Sequence, residues 1–150
     1  MAWPAPPAAG DLPDLNVWLA LAWSRHPHHA AALAYWERQA APRVLFCGVT
    51  VLGLIRLITQ QKVMGKARLS SSEASDLQRR LLAQPGVSLM REEEAAWPLV
   101  HALLVRSRLA SRDITDAWLV ALSQSLRLRL VSFDAGFGRV DGLCWLHLVG

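Results

Sequence analysis

The sequence predicts an α/β fold with a mostly parallel central sheet and helices packed on its faces. Short runs rich in Val, Leu and Ile alternate with longer segments of helical period along the chain, and this alternation is typical of parallel sheets. The chain has 150 residues and no internal repeat, so we expect one domain around one core. We place that domain at residues 13–150, after a leader at residues 1–12 that is rich in Pro and Ala and is expected to lack order.

The first half of the chain predicts short strands between helices. Pro13 cannot donate a hydrogen bond to a sheet, so a first strand at residues 11–14 is expected to be short if it forms. Pro42 ends the helical pattern that precedes it, because the residue before a proline avoids helical geometry. The expected elements are, in order, a helical turn or two at residues 17–22, a helix at 30–40, a strand at 44–47, a helix at 49–59 and a loop at 60–69.

Capping and turn residues mark the elements of the second half. Ser70 begins a helix expected to reach about residue 84, and Glu73 stands where a carboxylate reaches back to the first turn. The acidic residues 92–94 suit the positive end of a helix that follows them. The remaining elements are a strand at 87–90, a basic loop at 107–112, a helix at 116–125 capped by Asp113 or Thr115, a strand at 128–132, a glycine-containing turn at 134–140 and a strand at 144–149.

Hydrophobicity points to an interface rather than to a membrane. Hydrophobic residues make up 53% of the chain and the mean hydropathy is +0.22. The longest apolar run, at residues 44–58, is interrupted by Arg56 and is shorter than the roughly 18–20 residues of a membrane span. Excess apolar surface and seven Trp residues are typical of a subunit interface or a partner groove. We therefore expect a homodimer and no membrane segment.

Charge and cysteine content indicate the type of substrate and the cellular location of the protein. The net charge is +4 and the isoelectric point is about 9.8, which suits a polyanionic substrate. The two cysteines, Cys47 and Cys144, lack the spacing of a metal or redox motif, so we expect buried, reduced thiols in a cytoplasmic protein. The chain also lacks the nucleophile elbow of serine hydrolases and the phosphate loop of NTPases.

Three aspartates share one kind of position, where a hydrophobic run meets a turn or begins a helix. In an α/β fold such positions converge on one crevice at the edge of the sheet. Three carboxylates in one crevice repel one another unless a cation lies between them, and Mg²⁺ or Mn²⁺ prefers oxygen ligands. We expect Asp14, Asp116 and Asp134 to place their carboxylates within a few ångströms of a common point and to bind one or two such cations. Each aspartate taken alone is equally typical of a helix cap or a turn.

The segments around these aspartates resemble the PIN-domain family and, within it, the VapC toxins of bacterial toxin–antitoxin pairs. The similar stretches are DLNVWLALA, HPHH, TVLGLIRLIT, VMG, TDAWLVALS and LVSFDAGF, at residues 14–22, 26–29, 50–59, 63–65, 115–123 and 130–137. The resemblance implies a three-layer α/β/α sandwich. It also implies a Mg²⁺- or Mn²⁺-dependent endoribonuclease that is usually dimeric and is held inactive by a cognate antitoxin.

The chain departs from the family pattern at one acidic position. The family's four acids correspond to Asp14, position 51, Asp116 and Asp134, and position 51 is Val51 rather than glutamate. This change removes a negative charge and an oxygen that would hold the metal or its water. Asp113 is a possible substitute, and helix capping is its alternative role. The expected function is an endoribonuclease toxin that cleaves structured or single-stranded RNA; the alternative is a catalytically impaired module that binds antitoxin or RNA without cutting.

Polar residues near the aspartates have expected supporting roles. Asn16, Ser132 and Thr115 can orient a carboxylate or a water. Arg56 and Arg112 are candidates for contact with a phosphate or with an acidic residue of the antitoxin, and exposed arginines without a partner are the alternative; Arg106 and Arg108 near Asp116 have the same two interpretations. The histidines at 26, 28 and 29 lack the i, i+4 spacing of zinc enzymes, so we expect them to pack at a helix entry.

Overall fold

The computed structural model describes residues 8–106 and 110–150. Its centre is one sheet of five strands in the order β3-β2-β1-β4-β5. The strands are β1 (Asp11–Pro13), β2 (Val44–Phe46), β3 (Val87–Leu89), β4 (Arg129–Ser132) and β5 (Trp145–His147). Every pairing between neighbours is parallel. The expected fold class is therefore confirmed, and the sheet is wholly parallel.

Seven helices flank the sheet in the part of the chain that the structure describes. They are α1 (Leu15–Ala22), α2 (His29–Arg38), α3 (Gly48–Ile58), α4 (Gln61–Met64), α5 (Ser71–Leu82), α6 (Trp97–Arg106) and α7 (Ile114–Ser125). Single 3₁₀ turns lie at Gly65–Ala67, Glu93–Ala96, Ser111–Asp113 and Ala135–Arg139. No helix within the two described ranges is long and apolar enough to cross a membrane.

Alternate residues of the strands face two cores on opposite sides of the sheet. Leu45 and Leu130 pack with residues of α6 and α7. Phe46, the next residue of β2, packs instead with residues of α1, α3 and α5, and its ring stacks on Trp18 at a centroid distance of 3.7 Å. Burial of each large apolar side chain contributes on the order of 2 kcal/mol. These two cores hold helices on both faces, which gives the three layers that were expected.

Several local predictions hold and others are wrong for reasons of tertiary structure. The capping box of α5 is confirmed, since Ser70 Oγ accepts from the Glu73 amide at 3.2 Å and the Glu73 carboxylate accepts from the Ser70 amide at 3.1 Å. Residues 60–69 are not a simple loop, because α4 forms there and buries Met64 against the α3 side of the core. The glycine-containing turn after Asp134 is a 3₁₀ turn. Part of the expected basic loop, residues 107–109 with Arg108, lies outside the described residues.

The domain begins earlier than expected. Residues 1–7 of the predicted leader lie outside the described residues, but Asp11 and Leu12 belong to β1 and are fully buried. Asp11 accepts hydrogen bonds from Arg129 Nε and an Arg129 terminal nitrogen, both at 2.8 Å, and from Tyr35 Oη at 2.7 Å. Burial and the Asp11 charge raise the pKa of Tyr35 far above its usual range. A boundary at residue 13 therefore cuts through the first strand, which is short, as predicted.

Candidate active site

The strand order creates a crevice at the centre of the sheet. From β1 the chain builds β2 and β3 on one side and β4 and β5 on the other. In parallel α/β sheets, ligands bind outside the carboxyl ends of the strands where the order reverses in this way. Asp14 directly follows β1, Ser132 ends β4, and the Asp14 amide donates to the Val131 carbonyl at 2.8 Å. These side chains therefore lie at the position where such folds bind ligands.

Asp14 is held in place by two hydrogen bonds at the start of α1. Its Oδ1 accepts from the Leu15 amide at 2.7 Å, and its Oδ2 accepts from Ser132 Oγ at 2.8 Å. The side chain is nearly buried, and this burial raises the pKa of the Asp14 carboxyl; the two hydrogen bonds oppose the rise, and the charge of Asp134 adds to it. Asp14 is thus both a helix cap and a member of the crevice.

Ser132 connects three parts of the crevice. Besides donating to Asp14, its hydroxyl accepts from Asn16 Nδ2 at 3.2 Å and from the Asp134 amide at 2.9 Å. Asn16 Oδ1 in turn accepts from the Phe133 amide at 3.3 Å. Asn16 and Ser132 therefore make the contacts that a supporting role requires. Thr115 differs, because it is exposed and makes no side-chain hydrogen bond within the described residues.

Asp116 approaches the crevice from the first turn of α7. Burial, followed by the charges of Asp14, Asp134 and Asp113, raises the pKa of Asp116 to about 6. Charges act in this way only over short distances, so the three predicted acids share one region. Asp113 is the N-cap residue of α7 by position, but its side chain makes no capping hydrogen bond. It lies instead 4.0 Å from the exposed guanidinium of Arg112.

Asp134 begins the 3₁₀ turn Ala135–Arg139, where its Oδ1 accepts from the Gly136 amide at 2.8 Å. This turn and α7 enclose a cavity of about 510 Å³. The lining combines acidic, basic and apolar side chains: Asp113, Asp116, Asp134, Arg112, Arg139, Leu103, Ala117, Val120, Phe137 and Val140. The sequence analysis did not predict Arg139, because its candidate arginines were Arg56 and the arginines near Asp116. Its signal was a single arginine five positions after Asp134.

The carboxylates suit a hydrated cation rather than a tight metal cage. No group of three Asp, Glu, His or Cys side chains in the described ranges is arranged to hold an ion, and the meeting of all three carboxylates at one point stays a prediction. Local hydrogen bonds turn Asp14 towards Ser132 and Asp134 towards Gly136. Mg²⁺ usually keeps several waters and binds one or two carboxylates directly. The all-oxygen donor set and its mutual repulsion therefore fit Mg²⁺ or Mn²⁺ bound partly through water.

Position 51 contributes no charge to the candidate site. Val51 is half-buried and packs on the core formed by α1, α3 and α5. The acid found at the start of α3 is Glu93, whose Oε1 accepts from the Gly48 amide at 3.3 Å. Glu93 was expected at the first turn of the following helix, and the structure places it in a 3₁₀ turn that reaches across to α3. Arg56 is exposed in the last turn of α3.

The histidine cluster packs at the entry to α2. His26 Nδ1 accepts from the His28 amide at 3.0 Å, and His29 Nδ1 lies 2.7 Å from the Ala20 carbonyl oxygen. The His28 ring stacks on Phe133 at 4.8 Å.

The placement of the cysteines differs from expectation, because Cys47 is buried but Cys144 is exposed. Cys144 lies just before β5, which is at one edge of the sheet formed by the described strands.

Comparison with known proteins identifies the class to which this fold and crevice belong. The family model for the PIN domain matches residues 12–143. Ribonuclease VapC41 of Mycobacterium tuberculosis is 34% identical over 138 residues, covering 87% of this chain and 92% of that protein. Ribonuclease VapC38 of the same organism is 31% identical over 123 residues, covering 82% of this chain and 84% of that protein. The chain belongs to the PIN-domain family.

Within that family, the similar proteins are VapC proteins. The structure of VapC20 from M. tuberculosis, a toxin that cleaves the sarcin–ricin loop, superposes with a TM-score of 0.63 and 19% identity over 85% of this chain and 92% of that one. The structure of VapBC2 from Rickettsia felis, solved with a DNA fragment from its promoter, superposes with a TM-score of 0.61 and 9% identity over 93% of this chain and 98% of that one. At such identities these structures support the fold, and the VapC resemblance rests on the closer sequence relatives.

Proposed function

We propose that this protein is a Mg²⁺- or Mn²⁺-dependent endoribonuclease toxin that cleaves structured or single-stranded RNA and is neutralised by a cognate antitoxin. The observation that carries the proposal is the mutual charge interaction of Asp14, Asp116 and Asp134, which come from three distant segments. The ribonuclease relatives supply the substrate class. The cytoplasm, where thiols such as the exposed Cys144 stay reduced, is the proposed location.

The residues of the crevice have distinct parts in this proposal. A bound cation lowers the pKa of a bound water and offsets charge on the phosphate. Asp14 is the fixed carboxylate, since Ser132 and the Leu15 amide hold both of its oxygens. Asp116 is freer, because no side-chain hydrogen bond holds it within the described residues, and a bound cation would offset the burial and the neighbouring negative charges that raise its pKa. Asp134 links the crevice to the cavity that receives the substrate.

Partner binding is proposed for the apolar surface of α6 and α7. Four large apolar residues that are exposed in the described ranges lie on these helices: Trp97, Leu104, Val105 and Ile114. Trp97 is 52% exposed and packs against Trp118 at 4.5 Å. We propose that this surface forms a homodimer, for which about 800 Å² per subunit is a standard area. Antitoxin binding is inferred from the VapBC complexes that share the fold.

The rival function is a PIN-fold module that binds RNA or antitoxin without cutting. The observation in its favour is Val51, which packs against an apolar core where the family pattern has glutamate. The two functions differ in one assay. Protein free of antitoxin is incubated with looped RNA and Mg²⁺ or Mn²⁺, alongside the Asp116→Asn variant and a matched Asp76→Asn control on the exposed face of α5.

If the protein is the proposed enzyme, wild type and Asp76→Asn cleave RNA, and EDTA stops this cleavage. The Asp116→Asn variant does not cleave RNA. The asparagine removes a charge and little volume, so the fold should survive. Cleavage that continues in EDTA or in the Asp116→Asn variant would refute the mechanism. A folded wild-type protein that binds RNA but cuts none with either metal would establish the rival function.

A further inference from the structure

Arg139 enters the active-site cavity on a segment that is fixed at several points. The 3₁₀ turn starts at Asp134, whose carboxylate accepts from the Gly136 amide, and Phe137 is buried against the core. Gly138 passes so close to Trp145 that a Cβ there would lie 2.9 Å from a ring carbon. The Val140 amide then donates to the Phe137 carbonyl at 3.1 Å. The backbone at Arg139 is therefore positioned by the same segment that positions Asp134.

The cavity keeps its positive and negative groups apart. Asp116 and Asp134 line the cavity together with Arg112 and Arg139. Arg139 makes no ion pair with the described acids, and Arg112 makes only a 4.0 Å contact with Asp113 while its own side chain is 88% exposed. Both guanidinium groups therefore remain available to an anion. A ligand that uses both sets of groups would carry one anionic group for the guanidinium groups and a second for a cation held by the carboxylates.

A strand of RNA meets this requirement because its phosphates repeat along the chain. Besides the charged groups, the cavity is lined by Leu103, Val120, Phe137 and Val140, and these apolar side chains suit the face of a ribose or a base. Its volume of about 510 Å³ is within the range of small-ligand sites. We propose that Arg139 binds the phosphate next to the one that is cut, with Arg112 as an outer contact, so that the cavity seats one nucleotide. This inference rests on the proposed ribonuclease function.

RNA binding without cleavage tests the inference. Affinity for a short labelled single-stranded RNA is measured by fluorescence anisotropy in Mg²⁺ at several salt concentrations, with every protein carrying Asp116→Asn to prevent cutting. Arg139→Gln removes the charge, and Arg139→Lys keeps it. Arg80→Gln is the matched control, because Arg80 is an exposed arginine of α5 outside this cavity. Thermal unfolding of each variant shows whether the fold is unchanged.

Each phosphate contact to a single strand contributes roughly 0.7 to the slope of log affinity against log salt. Arg139→Gln should reduce the magnitude of the slope by about that amount. Between about 50 and 200 mM salt its affinity for RNA should then fall about 2.6-fold less than that of the protein that carries only Asp116→Asn. Arg139→Lys should retain the slope, and Arg80→Gln should leave it unchanged.

Four results would overturn the inference. If Arg139→Gln has the same salt slope as the protein that carries only Asp116→Asn, Arg139 does not contact a phosphate. If Arg80→Gln lowers the salt slope equally, the effect comes from general surface charge. An unchanged RNA slope together with weaker binding of the antitoxin by Arg139→Gln assigns Arg139 to the antitoxin instead. Absence of RNA binding by the protein that carries only Asp116→Asn and by wild-type protein would refute the ribonuclease function itself, and this inference with it.

Discussion

Substituting Asp116 by Asn should stabilise the metal-free protein at neutral pH. Burial and the carboxylates of Asp14, Asp134 and Asp113 raise the pKa of Asp116 from 3.8 to about 6. An acid whose pKa is raised by folding favours the folded state below its unfolded pKa, and that contribution is lost as the pH rises through the folded pKa. Between about pH 4 and pH 6 the ionisation of Asp116 therefore weakens the fold. Asparagine cannot ionise and avoids this loss.

The size of the effect follows from the shift and from solvent screening. A rise of about two units corresponds to roughly 3 kcal/mol if it is expressed fully in stability. Asp116 is only half-buried, and water screens the repulsion at a site of that exposure. We therefore expect Asp116→Asn to raise the free energy of unfolding by about 1 kcal/mol at neutral pH. In a domain of this size that gain raises the Tm by about 3 °C.

Thermal unfolding in EDTA measures this effect at about pH 7.5 and pH 4. The gain should be present at the higher pH and absent at the lower one. Asp76→Asn, the same chemical change at an exposed position of α5, should show no gain at either pH. Added Mn²⁺ should raise the Tm of wild type more than that of Asp116→Asn. A variant that is less stable than wild type at pH 7.5, or equally stabilised at both values, would refute the idea that these carboxylates repel one another.

Three further substitutions test other parts of the structure. Ser132→Ala removes a hydrogen-bond donor from the nearly buried Asp14 carboxylate and should cost about 2 kcal/mol in urea unfolding; a cost near zero would show that the bond is not formed. Asp11→Ala leaves the Arg129 guanidinium without its ion pair and should cost about 3 kcal/mol, whereas an unchanged urea midpoint would contradict the buried pair. Trp97→Asp places a charge on the apolar surface of α6 and α7, so light scattering should report a dimer for wild type and a monomer for the variant. A wild-type monomer, or a variant that remains dimeric, would contradict the proposed interface.

Local sequence signals predicted most of the fold because they depend on neighbouring residues. The capping box at Ser70 and Glu73 closes within a single turn, so it is readable from the sequence. The alternation of strands and helices predicted a parallel sheet for the same kind of reason. Features that depend on distant partners were missed. Asp11 is accommodated inside β1 because Arg129, 118 positions later, donates two hydrogen bonds to it and Tyr35 donates another, and no local pattern carries that information.

In the candidate site, too, features that depend on neighbouring residues were predicted from the sequence and features that depend on distant residues were not. The positions of the three aspartates were predicted from their placement at the ends of hydrophobic runs, and the structure brings their charges into one region. The orientations of Asp14 and Asp134 depend on Ser132 and on the Gly136 amide, and the sequence does not show these contacts. Arg139 reaches the cavity because Phe137 and Trp145 fix the turn before it. That constraint exists only in the folded chain.

Locating bound Mn²⁺ by anomalous scattering from soaked crystals tests the central claim most directly, because the claim assigns the cation to particular carboxylates. We expect an anomalous peak in the crevice among Asp14, Asp116 and Asp134, with direct contact to one or two of the carboxylates and water completing the coordination. Crystals of Asp116→Asn should show a weaker peak or none. A peak elsewhere on the protein, or an empty crevice at a Mn²⁺ concentration that supports RNA cleavage, would contradict the assignment of these three aspartates.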